Sequence, residues 1–297
     1  MRLGLKSTQI RRKNSVMPGD TVSACIIVGD DRDDKLIRCL DSLKGHVDEI
    51  VVVHTGHSRK TRRIIRKYTK KLYLSEWKND FSTPRNLALT KSTCEWMLYI
   101  DSDEYLMHPE KLKQNLDPSQ AAYPLRLHHL NERGLIFFRD SCNRLFKKVE
   151  GVRFLGKIHE YLVDRDGNVV HGSRVKNKAI IYHTGYANEE KTEKKLVKYH
   201  RMILEDIKSR RGEKIIHFFL AREAYNHART LVKKDGRLTK KSMGLILQSM
   251  RANERYRSME GRDRFGGDAK RLYDLCRTIL FFQDSPSVIE LITKVAE

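Results

Sequence analysis

Apolar positions in the first hundred residues fall into short continuous runs, separated by segments in which apolar residues recur at helical spacing. The runs "TVSACIIVG", "EIVVVHTGH" and "WMLYI" have the length and flanking turn residues of buried strands. Between them, "DKLIRCLDSLKGH" and "SRKTRRIIRKYTKK" place apolar residues at helical intervals. This alternation predicts an α/β fold with a doubly wound parallel sheet.

The pattern changes twice farther along the chain. From about residue 120 to 185, short apolar segments bounded by Gly, Asn and Asp predict strands and hairpins. From residue 189 to the end the pattern is helical, with few Pro and Gly residues. Residues 1–20 form a basic stretch that ends in a Pro-Gly-Asp turn. We therefore predict a basic arm (1–20), an α/β domain (21–188) and a helical extension (189–297).

Composition narrows the class of protein. The chain has 297 residues and 39% hydrophobic content, enough for one large domain or a domain with an appendage. No run approaches the roughly 18 apolar residues of a membrane span, and the basic N-terminus lacks the apolar core of a secretory signal. Five cysteines without CxxC spacing argue against a zinc site or a disulfide framework. These features predict a soluble cytoplasmic protein.

The formal net charge is +21, from 59 Lys and Arg against 38 acids. Such an excess attracts polyanions: nucleic acid, anionic lipid headgroups or phosphorylated polymers. Basic residues concentrate in the arm and in residues 59–71, 144–157 and 233–241. A generally solvated surface is the alternative, and for residues 59–71 it is as good an interpretation. The size of the excess still favours an anionic partner.

The run "WMLYI" ends abruptly in Asp101, Asp103 and Glu104. Burying ionised carboxylates at a strand end is costly unless a cation or a hydrogen-bonded ligand meets them. Asp101 and Asp103 can aim at one point, and carboxylate oxygens suit Mg²⁺ or Mn²⁺. By itself, Asp-Ser-Asp more often indicates a solvated acidic turn than a metal site. However, ligands of doubly wound sheets bind beyond the carboxyl ends of strands, where Asp30, His54 and Asp101 all lie.

Four motifs carry a family resemblance: "WKNDFSTPRN", "EWMLYIDSDE", "GKIHEYL" and "IIYHTGY", in that order. Together they resemble the family-two glycosyltransferases with a GT-A fold, in particular the branch with lipopolysaccharide-core transferases and S-glycosyltransferases of sublancin-type peptides. The resemblance covers about residues 21–188, and the family's helical extension would match 189–297. It implies a nucleotide-sugar donor, a UDP-sugar by family default, and a Mn²⁺ or Mg²⁺ cofactor.

The resemblance also implies roles for the acidic end of the strand. Asp103 would hold the divalent cation that neutralises the leaving diphosphate, with Asp101 near the ribose and the metal. His183, in "YHTGY", would be the third metal ligand, since a neutral imidazole suits Mn²⁺. A structural histidine after an apolar strand is the alternative. Arg85 would fork onto a phosphate or onto Asp101.

Further residues of the motifs receive roles in the same way. Glu160 would be the base of an inverting transferase, with His159 as a substrate or phosphate contact; a surface His-Glu dipeptide is the alternative. Trp77 and Asp80 would bind or organise the nucleotide, although core packing of Trp77 is equally favoured.

One departure from the family pattern concerns the nucleotide. Relatives carry an Asp after the second strand, in a pattern like V-D-T-G-S, where this chain has His54. A group that only accepts hydrogen bonds is thereby replaced by one that donates or accepts. Similarly, Asp30-Asp31 replaces the usual Asn-Glu after the first strand, and Asp30 is expected to contact the nucleotide-sugar. The identity of the nucleotide stays open.

The acceptor is inferred from charge. A peptide thiol needs no positive field, and no amphipathic segment with exposed Trp and Phe is present to enter a bilayer. The sequence therefore slightly favours a hydroxymethylpyrimidine base in DNA, of the kind that phages glycosylate, in the host cytoplasm. A lipopolysaccharide-type glycolipid or a peptide is the alternative acceptor. An inactive GT-A domain that binds polyanions is the alternative function.

Overall fold

A computed structural model of the chain describes residues 20–30, 33–131, 133–173, 177–184, 189–260, 265–283, 285 and 287–294. The predicted basic arm lies outside the described residues except for Asp20, as does Asp31. Within the described ranges the chain forms ten strands and eight α-helices.

The first hundred residues alternate between strands and helices, as predicted. The elements are β1 (Val22–Val28), α1 (Asp33–Leu43), β2 (Glu49–His54), α2 (Arg59–Ile65), β3 (Leu72–Leu74), α3 (Ser82–Lys91) and β4 (Trp96–Asp101). The four strands are parallel, with β1 between β2 and β4. Their apolar runs are buried because helices cover the sheet; on α1, Leu36, Leu40 and Leu43 have no exposed surface.

The middle of the chain adds strands to the same sheet. They are β5 (Glu104–Met107), β6 (Ala122–Leu130), β7 (Ile136–Lys147), β8 (Arg153–Leu155), β9 (Tyr161–Val163) and β10 (Ile180–His183). Eight strands form one mixed sheet in the order β3-β2-β1-β4-β7-β6-β10-β5, and β8 pairs with β9 separately. The predicted hairpins are confirmed: β7 runs antiparallel to both β6 and β4.

The predicted helical extension is confirmed. It comprises α4 (Glu189–Arg210), α5 (Lys214–Asp235), α6 (Lys240–Ser258), α7 (Gly266–Phe281) and α8 (Ser287–Lys294). Helix α5 lies at its centre, in contact with each of the other four helices. It ends at Gly236, whose φ of 62° is the left-handed conformation that terminates helices. None of the described helices is long and apolar enough to cross a membrane.

The extension packs against the sheet domain through one apolar cluster. Ile158, from the segment before β9, is buried with Met202 and Ile203 of α4 and with Phe219 of α5. Trp77 and other partly buried side chains pack around this cluster. The helices therefore adjoin the segment that carries Glu160.

Candidate active site

Arg85 joins two distant parts of the chain at the carboxyl end of the sheet. It lies on α3 and is buried, with 6% of its surface exposed. Its Nη2 donates to Asp101 Oδ1 at 2.8 Å, and its Nε donates to Glu160 Oε1 at 2.5 Å. Two partners were predicted for Arg85, a phosphate and Asp101, and the structure shows the contact with Asp101. Glu160, the candidate base, binds the same arginine.

A second buried arginine, Arg144 of β7, completes this cluster. Its Nη2 donates to Glu104 Oε1 at 2.7 Å, and its Nη1 lies 3.6 Å from Asp101 Oδ2. The guanidinium stacks over the Tyr99 ring, 4.4 Å from its centroid. In the sequence, Arg144 is evident only as part of a basic stretch. Its inward orientation depends on the register in which β7 pairs with β6. No local sequence pattern indicated that register.

The pKa values of the two carboxylates beside these arginines, Asp101 and Glu104, are shifted in opposite directions. Burial alone would raise the pKa of Asp101, but the charges of Arg85 and Arg144 lower that pKa below its ordinary value. Burial raises the pKa of Glu104 to about 7, against the attraction of Arg144. The charges of the two arginines therefore favour the ionised form of Asp101, whereas burial favours the protonated form of Glu104.

Asp103 and His183 lie together at the end of the sheet. Asp103 is buried, and its Oδ1 is 3.8 Å from Nε2 of His183, the last residue of β10. Burial lowers the pKa of His183 to about 4, so its ring is neutral and able to bind a metal. In β6, Nδ1 of His129 lies 3.0 Å from the other ring nitrogen of His183. His129 was not singled out in the sequence.

This pair fits part of the predicted metal site. A carboxylate and a neutral imidazole are ligands that suit Mn²⁺. The third predicted ligand, Asp101, accepts a hydrogen bond from Arg85, and its role as a metal ligand stays a prediction. Among the described residues, no group of three or more His, Cys, Asp or Glu side chains is arranged to hold a metal ion. Mg²⁺ and similar cations commonly complete their coordination with water and substrate phosphates. Asp103 and His183 therefore suit a cation that arrives with a diphosphate.

His54 and Asp30 form a buried link at the carboxyl ends of β1 and β2. His54 has no exposed surface, and its Nε2 is 2.9 Å from Asp30 Oδ1. Arg62 Nε donates to His54 Nδ1 at 3.2 Å. Because a guanidinium only donates, Nδ1 accepts and Nε2 carries the proton that is donated to Asp30. His54 therefore orients Asp30, and it is Asp30 that remains partly exposed.

The loop after β2 closes around the Asp30 carboxylate. The backbone N–H groups of His57 and Ser58 donate to it at 2.8 and 2.9 Å. The His57 bond is the largest cause that lowers the pKa of Asp30 to about 2. A Cβ on Gly56 would lie 2.2 Å from Asp30 Oδ1, so only glycine fits there.

Trp77 and Asp80 have structural partners. Asp80 Oδ1 accepts from the N–H groups of Ser82 and Thr83 at 2.8 and 3.2 Å and so caps the start of α3. The Trp77 ring meets Phe81 edge-on at 4.8 Å, on the apolar cluster shared with the extension. The nucleotide-binding roles of Trp77 and Asp80 stay predictions.

His159 is engaged by the helical extension. Its Nε2 is 2.8 Å from Glu223 Oε1, and Arg222 Nη2 is 2.7 Å from its Nδ1. Both partners lie on α5, and no sequence pattern indicated either residue. The predicted contact of His159 with substrate stays a prediction, because both ring nitrogens have protein partners here.

Comparisons with known proteins cover the first part of the chain best. Residues 24–149 match the model of glycosyl transferase family 2. A TPR repeat-containing protein of Synechococcus elongatus is 34% identical over 145 residues, 48% of this chain and 36% of that protein. The SPbeta prophage-derived glycosyltransferase SunS of Bacillus subtilis is 27% identical over 181 residues, 56% of this chain and 40% of that protein. The chain thus matches less than half the length of either relative.

Among solved structures, Staphylococcus aureus TarS 1-349 in complex with UDP-GlcNAc has a TM-score of 0.48 and 16% identity, over 92% of this chain and 89% of that chain. The matched residues 24–149 include β2 and β4, which end at His54 and Asp101, and also Asp30, which follows β1. Residues 24–149 of this chain are therefore similar to the glycosyl transferase family 2 domain, and they lie in a mixed α/β sheet of the GT-A kind.

Proposed function

We propose that this protein is a metal-dependent, inverting glycosyltransferase that moves a sugar from a nucleotide-sugar donor to an anionic acceptor. The observation that carries the proposal is the position of Arg85, which binds both Asp101 at the end of β4 and Glu160. The Glu160 carboxylate therefore lies near the carboxyl end of β4, the edge at which ligands of such α/β sheets bind, and this supports its proposed role.

Glu160 is the proposed base. Its side chain is 11% exposed and accepts a hydrogen bond from Arg85, which orients it. As the acceptor oxygen bonds to the anomeric carbon, its proton passes to Glu160. The bond from that carbon to the phosphate oxygen breaks, and the nucleoside diphosphate leaves with the electron pair.

Asp103 and His183 are the proposed metal-holding residues. A bound Mn²⁺ or Mg²⁺ would supply Lewis-acid stabilisation of the negative charge on the diphosphate. Asp30, oriented by His54, is the proposed contact to the nucleotide. UDP-sugars are the first donors to test because they are the family default, and other nucleotide-sugars belong in the same panel because His54 departs from the family pattern.

The proposed acceptor is a hydroxymethylpyrimidine base in DNA. Supporting it are the net charge of +21 and the exposed cations of α2 and the turn after it, Arg59, Arg63, Arg66 and Lys67. Arg144 is not part of this surface, because it is buried against Glu104. A base inside a duplex would have to be flipped out or presented on a single strand.

Donor binding is tested by thermal unfolding with a panel of nucleoside diphosphates, with and without Mn²⁺. We expect stabilisation only when nucleotide and cation are both present, since a ligand that binds the folded state raises its stability. Absence of a response to every nucleotide would contradict the transferase proposal. Salt-sensitive binding of DNA without any donor response would instead support an inactive, polyanion-binding domain.

The acceptor is tested by transfer of labelled sugar to hydroxymethylated DNA, unmodified DNA, peptide and lipid-linked acceptors. Label on hydroxymethylated DNA alone is the expected result, and binding to that DNA should weaken steeply with salt because counterions are released. Label on peptide or lipid alone would reject the DNA acceptor and leave the transferase proposal intact.

A further inference from the structure

Residues 156–161, the base segment, carry Glu160 and are bound along one side by the helical extension. The backbone N–H of Lys157 donates to Asp206 Oδ2 of α4 at 3.0 Å. The Tyr161 hydroxyl accepts from Arg210 Nη2 of α4 at 2.7 Å. These contacts fix both ends of the base segment, with His159 and Glu160 between them.

His159 is the one non-glycine residue of the base segment with a positive φ. Its φ of 52° lies in the left-handed region, which is uncommon for a residue other than glycine. Arg222 can only donate, so the Nδ1 atom that it meets at 2.7 Å is unprotonated. The ring proton therefore resides on Nε2 and is donated to Glu223 Oε1 at 2.8 Å. The two side chains of α5 together select one tautomer and one ring orientation.

This arrangement is costly if it serves only to hold the fold together. Glu223 is 2% exposed, and its Oε2 has no hydrogen-bond partner among the described residues. A buried carboxylate with one unpaired oxygen destabilises the folded state, and apolar side chains of similar size commonly replace such ionic groups without loss of stability. The same helix already packs Phe219 against the His159 ring, at a centroid distance of 4.9 Å. Packing alone therefore does not account for the two charges.

We propose that Arg222 and Glu223 are positioning residues of the active site, which act through His159 to aim the carboxylate of Glu160. By fixing the ring on both nitrogens they hold the left-handed backbone of His159, and the next residue then points to Arg85. This inference rests on the proposed role of Glu160 as the base. On this proposal, the helical extension contributes to catalysis by orienting Glu160.

The first test measures the tautomer directly and does not require activity. Long-range ¹⁵N–¹H NMR of the histidine rings identifies which nitrogen carries the proton, and His159→Asn assigns the signal by its loss; asparagine tolerates the left-handed backbone. We expect the Nε2–H form in the wild type and a mixture of forms in Arg222→Ala. A wild-type ring with its proton on Nδ1, or an unchanged tautomer in Arg222→Ala, would overturn the proposal.

The second test separates positioning from folding. In Arg222→Ala and Glu223→Gln we expect kcat, followed by release of nucleoside diphosphate, to fall about tenfold, less than the roughly hundredfold or greater loss expected when a base is removed. The KM for the donor should stay within about twofold of the wild type, because ground-state donor binding is not altered. Arg222→Lys should recover part of the loss, since an ammonium also donates to Nδ1.

Lys270→Ala is the control, because it removes one exposed cation from α7 of the same helical extension. It should leave kcat unchanged. A wild-type kcat in Arg222→Ala, or a loss of kcat that merely follows a loss of folded protein in thermal unfolding, would reject the positioning role. If the wild type itself turns over no donor, the proposed function fails, and the NMR result still decides whether α5 controls the His159 ring.

Discussion

The two ends of the same parallel strands carry charged clusters of different composition. At the amino ends, Glu49 of β2 accepts hydrogen bonds from Ser23 Oγ at 2.6 Å, from the N–H and hydroxyl of Thr93 at 2.9 and 2.8 Å, and from Lys71. Burial opposes ionisation of Glu49, but these donors prevail and lower its pKa to about 2. One carboxylate there has four donors, and its side chain is only 9% exposed.

At the carboxyl ends of the strands, several carboxylates share few hydrogen-bond donors. Two buried arginines, Arg85 and Arg144, are shared by Asp101, Glu104 and Glu160. Arg144 Nη1 has no hydrogen-bond partner among the described residues, and the pKa of Glu104 is raised to about 7. The amino-end cluster has the hydrogen bonding of a structural element, whereas the carboxyl-end cluster retains unmatched charge. Unmatched charge is costly to folding and common at functional sites.

The largest expected effect is at Asp103, which with His183 is proposed to hold the metal. Asp103→Asn should abolish transfer and the Mn²⁺-dependent part of nucleotide binding, because the amide cannot supply the negative charge that holds a cation. Transfer is measured at saturating donor, and binding by thermal shift. Asp166→Asn, in an exposed turn, is the control. Wild-type transfer by Asp103→Asn would contradict the metal-holding role proposed for Asp103.

Glu160→Gln should reduce kcat by about a hundredfold or more, the usual contribution of a general base, while donor binding is retained. The amide can still accept from Arg85 but cannot take a proton. Glu150→Gln, at an exposed site, should behave as the wild type. If Glu160→Gln weakens donor binding and spares kcat at saturation, Glu160 belongs to the donor site and is not the base.

Glu49→Gln should act on stability and leave kcat unchanged. We expect a loss of about 2 kcal/mol at neutral pH, because the hydrogen bonds to the charged carboxylate weaken. The folded pKa of about 2 lies below the ordinary value of 4.5, so this contribution is fully present above pH 4.5 and is lost as pH falls toward 2. Urea unfolding at neutral pH and at about pH 3 should show the difference from the wild type shrinking. A loss of kcat without a loss of stability would mean that Glu49, at the amino ends, acts in the reaction and not in folding.

Thr93→Val gives the smallest expected effect, below about 1 kcal/mol, because it removes one neutral donor from Glu49 at an exposed position and keeps the backbone N–H donor. Urea unfolding measures it. A larger loss than that of Glu49→Gln would mean that Thr93 contributes through packing and not through the carboxylate.

Local patterns predicted the strands but not their partners. The buried runs that became β1, β2 and β4 are evident in the sequence because strands covered on both faces are apolar at every position. The pairing of β7 with β4, which makes the sheet mixed, depends on contacts between residues distant in sequence. Sequence-based prediction therefore succeeds for elements and fails for their order where the connections are long.

The same limit explains which site residues were missed. Asp101, Asp103, His183 and Glu160 lie in motifs that a sequence displays. Arg222 and Glu223 are adjacent charges on an otherwise ordinary amphipathic helix, where solvent exposure is the default expectation. Only the packing of α5 on the base segment turns them toward His159.

The short strands at the two edges of the sheet bear on how the protein behaves in concentrated solution. An edge strand offers unpaired backbone groups on which another chain can add a strand, and long flat edges therefore promote aggregation. The edges here are β3 and β5, with only three and four residues, and Lys70 and Lys71 immediately precede β3. A second molecule gains few hydrogen bonds at either edge and meets cations at one of them. The eight-stranded sheet is thereby protected from edge-to-edge association.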